Sequence, residues 1–469
     1  MIYTGDIILL TGRLSPPKKA WNIVALIFAI AFVSNGCAVV KKSYVATPYY
    51  KAATTELENA GKNKVPGTGK IYAGFSRVSI TPDLSGKKVP IAGYGQAKTK
   101  YATGIHDSIF VRSVALSAGA DTLLIISADM LIMPPDIADS VASYLARKGT
   151  GRDKLFFSAT HTHSGIGGWG YGMLAKLMAG KPDDEIKKWI TMQIVSSVDS
   201  SIRNMKPSQI GSGSFHEPAF VRNRLTGDNT MINDEFDYLL IEQEGNRRCV
   251  VGTYSAHATT TGRSNTLITG DYPGWWSYEM ENGYASVAIF CGGSMGSQGP
   301  VSDSTEYDAA MQIGKSLADR IINSDSRTEL TNKAFISYMT LPVDLPKYRI
   351  RVSKNLTLPS FLSRGLMAMP QNVFIQAIRV NNILWYFTPG DFSGEYALML
   401  KRLYASKGLQ VAVSGYNGAY TGYIIPGKYF YLDHYEPRTM SWFGPYYGDY
   451  VFEIMDRMGG ILVTPIGFD

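Results

Sequence analysis

The stretch KLFFSATHTHSGIGG, residues 154–168, decides how this chain is read. It opens on an apolar run of strand length and closes on two histidines two residues apart, followed by Ser164, Gly165, Gly167 and Gly168. Strand side chains alternate with a period of two, so an H-x-H at a strand end is expected to send His161 and His163 to one face. The small residues behind them let backbone or a ligand come close. Upstream, DTLLIISADM (121–130) is a second strand-like run, and between the two PPDIADSVASYLARKG (134–149) carries apolar residues at helical spacing and ends in Gly149. Strand, helix, strand in that order is α/β material.

Working outward, IYAGFSRVSI (71–80) reads as a strand, and DEIKKWITMQIVSSVDSSIRNM (184–205) as an amphipathic helix. Further strands are expected at FDYLLIEQE (236–244), CVVGTYSAH (249–257), YASVAIFCG (284–292), KAFISYMTLPV (333–343), VFIQAIRVNNILWYFTPG (373–390) and QVAVSGYNGAY (410–420). No repeat period and no Pro- or Ser-rich linker follows residue 70. The expected fold is therefore one large mixed α/β domain over 71–469, with sheets flanked by helices.

Composition supports a globular chain and narrows its partners. Of 469 residues 45% are hydrophobic and 18% charged, enough apolar stock for a large core. Lys plus Arg (46) less Asp plus Glu (39) leaves +7, but the basic residues are scattered and no run of five or six occurs, so nucleic acid is not an expected partner. The three cysteines contain no CxxC pair, which leaves His, carboxylate or Tyr to hold any metal.

Residues 1–37 have the order of an export segment: Lys18 and Lys19, an apolar run from Trp21 to Val33, then Ser34, Asn35, Gly36 and Cys37. The run is shorter than the about 20 residues that span a bilayer. Cys37 directly after Gly36 resembles the lipobox of bacterial lipoproteins, which implies an exported, membrane-anchored chain, periplasmic or on the cell surface. An ordinary signal peptide or an uncleaved anchor are the other readings. Residues 38–70 are polar and read as a tether.

Six histidines are present, and each can be weighed. His257 ends the strand-like CVVGTYSAH, where a lone histidine also serves as a satisfied structural group. ILWYFTPGDFSGEY (383–396) puts Asp391 directly behind a Pro-Gly turn, with Glu395 four residues on. Asp391 fits a metal ligand and equally a helix N-cap. Two histidines and a carboxylate from separate strand ends suffice for a catalytic zinc site with an open position. No GxSxG elbow occurs, and GGSMGSQGP (292–300) lacks the lysine of a phosphate-binding loop.

Taken together, AGFSRVSITPD (73–83), GYG (93–95), GIHD (104–107), THTHSG (160–165), VRNR (221–224), SAHATTTGRSNTLITGDYPGW (255–275), FTPGD (387–391), YTGYI (420–424), HYE (434–436) and FGP (443–445) resemble the catalytic N-terminal domain of the neutral/alkaline non-lysosomal ceramidases. The resemblance implies a zinc amidase that splits ceramide into a sphingoid base and a fatty acid with metal-activated water. It implies His161, His257, Asp391 and Tyr423 as zinc ligands, and His163, Arg224 and Tyr435 as the polar groups facing the scissile carbonyl.

Three departures from the family pattern stand out. The acidic ligand is Glu in the family and Asp391 here, so either the strand end lies closer to the metal or Glu395 substitutes. The family's catalytic serine falls on Gly299, which leaves Ser294 or Ser297 to supply a hydroxyl from a displaced position. The sequence also ends soon after FGP, so the smaller C-terminal β-domain of longer family members is expected to be missing. The expected substrate is an amphiphilic lipid of ceramide type. Another N-acyl or O-acyl amphiphile, or a surface lipid-binding homologue without turnover, are the alternatives that Gly299 raises. The sequence leaves the oligomeric state open.

Overall fold

Neighbouring residues of the strands part to opposite sides: Leu124 and Ile126 enter one apolar layer, Leu123 and Ile125 another. The structure, a computed structural model, describes residues 39, 43–62, 66–97, 100–119, 121–323, 328–366 and 370–463. The export-type segment with Cys37 lies outside the described residues. Twelve strands form one branched sheet: β1 (Gly67–Ser79), β2 (Phe110–Ala118), β3 (Thr122–Ala128), β4 (Leu155–Ala159), β5 (Lys206–His216), β6 (Glu235–Gln243), β7 (Arg247–Tyr254), β8 (Val287–Gly292), β9 (Lys333–Pro342), β10 (Phe374–Val380), β11 (Ile383–Phe387) and β12 (Gln410–Ser414). The order β8-β7-β6-β5-β1-β2-β3-β4 makes one arm and β9-β10-β11-β12 the other. Strand β1 serves both, because residues 67–70 pair with β9 and residues 71–79 with β2.

The helices are α1 (Pro48–Lys62), α2 (Pro135–Ala146), α3 (Gly172–Ala179), α4 (Asp184–Arg203), α5 (Asp271–Glu281), α6 (Glu306–Ile322), α7 (Ser360–Leu366), α8 (Gly394–Ala405), α9 (Tyr435–Thr439) and α10 (Tyr447–Val463). Four layers result. Helices α2, α4, α5 and α6 cover the outer face of the first arm, α1, α8 and α10 cover that of the second, and a third apolar layer fills the space between the arms. Burial on both faces explains why strands such as β3 and β11 read as unbroken apolar runs. Phe156 of β4 and Phe387 of β11 meet across the middle layer with ring centroids 5.4 Å apart. Removing such a buried ring costs about 3–5 kcal/mol.

This is the mixed α/β architecture with helix-flanked sheets that the sequence predicts. The tether expectation needs correction. Within 38–70, α1 packs on the core through Ala53 and Leu57, and the hydroxyls of Tyr44 and Tyr50 bond Glu453 of α10. Its apolar residues recur at helical spacing but are few among Lys, Thr and Glu, so the segment reads as polar although one face packs. The pairs β3–β4, β7–β8 and β11–β12 are parallel. The carboxyl ends of β4, β7, β8, β11 and β12 carry the loops of the site, as open α/β sheets commonly arrange it.

Candidate metal centre and its cavity

His161 does not continue β4. The strand ends at Ala159, and His161 takes a left-handed φ of 64° with its N–H on the Met130 carbonyl at 3.0 Å. A turn, and not strand alternation, therefore brings the two histidines together. His161 Nε2 lies 3.3 Å from His163 Nε2 and 3.1 Å from His257 Nε2. The His163 N–H bonds the Ala258 carbonyl at 3.2 Å, which ties the loop after β4 to the loop after β7. Gly93 lies so close to His163 that a Cβ there would stand 2.5 Å from its carbonyl oxygen, and Tyr94 accordingly covers the His163 ring at 4.8 Å.

Asp391 and Tyr423 arrive as partners, because Asp391–Phe392 and Tyr423–Ile424 form a short parallel pair. Asp391 Oδ1 stands 3.5 Å from His161 Nε2 and 3.8 Å from His257 Nε2, and the Tyr423 hydroxyl is 3.2 Å from His257 Nε2. Close glycine packing brings the shorter acid within reach. A Cβ on Gly296 would lie 2.2 Å from the Asp391 carbonyl oxygen. Glu395 points elsewhere and pairs with Lys428. Of the two acids the sequence offered, the structure brings Asp391 to the histidines.

The donor set fits a divalent cation. His161 Nδ1 donates to the Leu131 carbonyl at 2.6 Å and His257 Nδ1 to the Met295 carbonyl at 2.9 Å, which assigns the proton of each ring to Nδ1. Two unprotonated Nε2 atoms then face each other at 3.1 Å with no hydrogen between them. That separation is close to the edge of about 3.3 Å that tetrahedral bonds of about 2.0–2.1 Å define. Burial pushes the His257 and His163 rings well below the ordinary histidine range and lowers His161, where Asp391 opposes the shift, so the rings stay neutral. Burial and then Asp391 push the Tyr423 phenol up, against the pull of Arg224. The buried Asp391 and Glu436 bring two carboxylates against the single guanidinium of Arg224, and a cation would balance the excess.

Backbone carbonyls on the imidazoles are one half of the support that metal ligands ordinarily receive, and bonded carboxylates are the other. Tyr416 and Tyr420 donate to Asp391 Oδ1 and Oδ2 at 2.8 and 2.6 Å, and the Tyr416 ring stacks on His161 at 4.3 Å. Sequence reasoning gave neither tyrosine a role. The spacing Tyr416, Tyr420, Tyr423 behind an apolar strand was the available signal.

The remaining expected residues divide. Arg224 Nη2 donates to the Tyr423 hydroxyl at 2.8 Å and lies 3.4 Å from His257 Nε2, while its Nε is 2.8 Å from Glu436 Oε1. His163 leaves its buried Nδ1 without a partner. Tyr435 sits half exposed on the cavity wall, its ring 6.0 Å from that of Tyr423. Ser297 is not brought in: its hydroxyl accepts the Gly394 N–H at 3.0 Å and is buried under α8, away from the cavity lining. Ser294 is likewise held by Asn233 and Ser255.

Above the cluster opens a cavity of about 680 Å³ walled by Leu131, Ile132, Trp169, Leu174, Met178 and Trp442, with the three histidines, Arg224 and Tyr423 at its floor. Such a volume and apolar lining suit a small amphiphile.

Fold and site together define an α/β/β/α protein with a buried histidine–carboxylate–tyrosine centre beneath an apolar cavity. Comparison with known proteins adds a family likeness: residues 72–295, just under half of the chain, match the neutral/alkaline non-lysosomal ceramidase N-terminal model, the same resemblance that the motifs carry. Asp391, Tyr423 and Tyr435 lie beyond that match. The neutral ceramidase of Pseudomonas aeruginosa is 24% identical over 269 residues, 51% of this chain and 40% of that protein, so the match spans less than half of the relative. The crystal structure of neutral ceramidase from Pseudomonas aeruginosa superposes with a TM-score of 0.73 at 18% identity, covering 85% of this chain and 75% of that one. A ceramidase complexed with C2 gives 0.72 at 18% identity, covering 85% and 76%.

Proposed function

We propose that this protein is a zinc-dependent amide hydrolase that releases the fatty acid from N-acyl lipids of ceramide type. The observation that carries the reading is the meeting of the His161 and His257 Nε2 lone pairs beside Asp391 and Tyr423 at the floor of an apolar cavity. His161, His257, Asp391 and Tyr423 would hold the cation, which when bound supplies a water-derived nucleophile at neutral pH and polarises an acyl carbonyl.

The chain's own groups supply the rest. Arg224, fixed by Glu436 and Tyr423, offers a cation to the charge that develops on the acyl oxygen, and Tyr435 offers a hydroxyl from the cavity wall. His163, neutral and with a free Nδ1, is able to take a proton there and return it to the departing amine. The apolar walls hold an acyl chain and exclude water. No serine nucleophile is needed, in keeping with the structural use of Ser297.

A second reading, lipid capture without turnover, rests on Gly299, whose position beside the Arg224 side chain offers no hydroxyl. Incubating the purified full chain with zinc and ceramide, and in parallel with an O-acyl amphiphile, separates the readings. Chelator-sensitive fatty acid release from ceramide is expected. Binding without release from either compound would favour capture, and release from the ester alone would move the substrate class.

A further inference from the structure

Helix α3, sequence GMLAKLMA, carries a single charge, Lys176, yet only Ala179 is fully buried. A helix this apolar all round is ordinarily enclosed. Its Leu174, Leu177 and Met178 line the cavity, while Met173 is 50% exposed and the preceding Tyr171 also faces outward. Helix α7 packs beside α3 and presents Phe361, 61% exposed, and Leu362. The loop before α7 is pinched by the Arg351–Thr357 bridge and raises Val352, Lys354 and Leu356 to solvent at its tip. Single exposed apolar residues mean little, but a group on adjoining elements marks an interaction surface.

Two further observations say what covers it. Across 343–366 four basic residues that reach the surface, Lys347, Arg349, Lys354 and Arg364, stand against one acid, Asp344, leaving 4 minus 1, or +3, while Arg351 is buried on the Phe430 and Leu432 carbonyls; Lys176 of α3 adds a further positive charge. Basic groups interleaved with exposed aliphatic and aromatic residues are what an anionic bilayer surface attracts. Val39, the first described residue, also lies here: its N–H bonds the Asn355 carbonyl at the loop tip, two positions after Cys37 in the sequence. An anchor leaving at that point would hold this face against the lipid.

We propose that α3, α7 and the Val352–Leu356 loop form a docking surface for an anionic lipid bilayer. Because α3 is also a wall of the cavity, docking brings the cavity beside the lipid phase. The inference does not depend on hydrolysis.

Hydrogen–deuterium exchange of the full chain in nanodiscs tests it, comparing phosphatidylcholine alone with a phosphatidylcholine–phosphatidylglycerol mixture, so that the N-terminal segment meets a bilayer in both. Amides of 350–366 and 171–179 are expected to exchange several-fold more slowly in the mixed discs while α6 is unchanged. The double variant Lys354→Glu/Arg364→Glu should lose that difference with the sheet still protected. Equal exchange in both discs would overturn the proposal. So would protection that depends on protein concentration without lipid, which would assign the face to a second copy of the chain.

Discussion

His161 and His257 face each other Nε2 to Nε2 at 3.1 Å, each with its Nδ1 pinned to a backbone carbonyl. Neither ring has a proton to give the other, and the two lone pairs fit a shared cation.

The tyrosines on Asp391 should matter through the metal. Tyr420→Phe removes the 2.6 Å bond to Oδ2, and Tyr416→Phe the 2.8 Å bond to Oδ1. Loss of such outer support typically weakens metal affinity about 10–100-fold. Competition with a graded series of chelators would read this, and the fold should survive because both rings remain.

Arg224 should separate binding of metal from catalysis. Arg224→Ala leaves the two histidines and Asp391 in place but removes the cation beside Tyr423 and His257. Metal content is expected to stay near wild type while kcat falls about 10²–10³-fold. A parallel loss of metal would show that Arg224 maintains the site and does not face the reaction.

Gly296→Ala tests the approach of Asp391. The new methyl would meet the Asp391 carbonyl oxygen at 2.2 Å, so backbone must move. Overpacking of this kind costs about 1–3 kcal/mol. Denaturant unfolding should show the loss, and metal affinity should drop with it.

Asp271 predicts a pH signature of stability. Burial pushes its carboxyl up to about 6, against the pull of the Tyr272 N–H and the Thr260 side chain. An acid whose folded pKa lies above its unfolded value of about 3.9 keeps its proton longer in the fold. Its contribution is therefore largest below about pH 4, declines as pH rises through about 6 and stays lost above that. Measured from pH 4 to 7, wild type should lose about 1–3 kcal/mol relative to Asp271→Asn. A constant difference between the two would contradict the shift.

Much of the fold was legible because strand and helix periods differ. The runs at 121–130, 154–160, 249–257 and 373–390 became β3, β4, β7 and the β10–β11 hairpin, and 134–149 and 184–205 became α2 and α4. Helix α1 was read as tether because its buried stripe is little more than Ala53 and Leu57. The meeting of His161 with His163 was expected for the wrong local reason: period-two alternation was invoked, whereas a left-handed residue makes the turn. Ser297 illustrates the opposite limit. A hydroxyl in a glycine-rich loop carries no sign in sequence of whether it faces a cavity or, as here, the first amide of a helix. The likeness to ceramidases drew Asp391 and Tyr423 together, but Tyr416, Tyr420 and Glu436 emerged only once three loops were folded against one another.

The most direct test is metal stoichiometry. Wild type and His257→Ala, each equilibrated with zinc and desalted, would be compared by elemental analysis. About one ion per chain is expected in wild type, and a value near zero in the variant with its circular dichroism unchanged. Equal zinc in both, or none in a folded wild type, would contradict a metal centre built on His161 and His257.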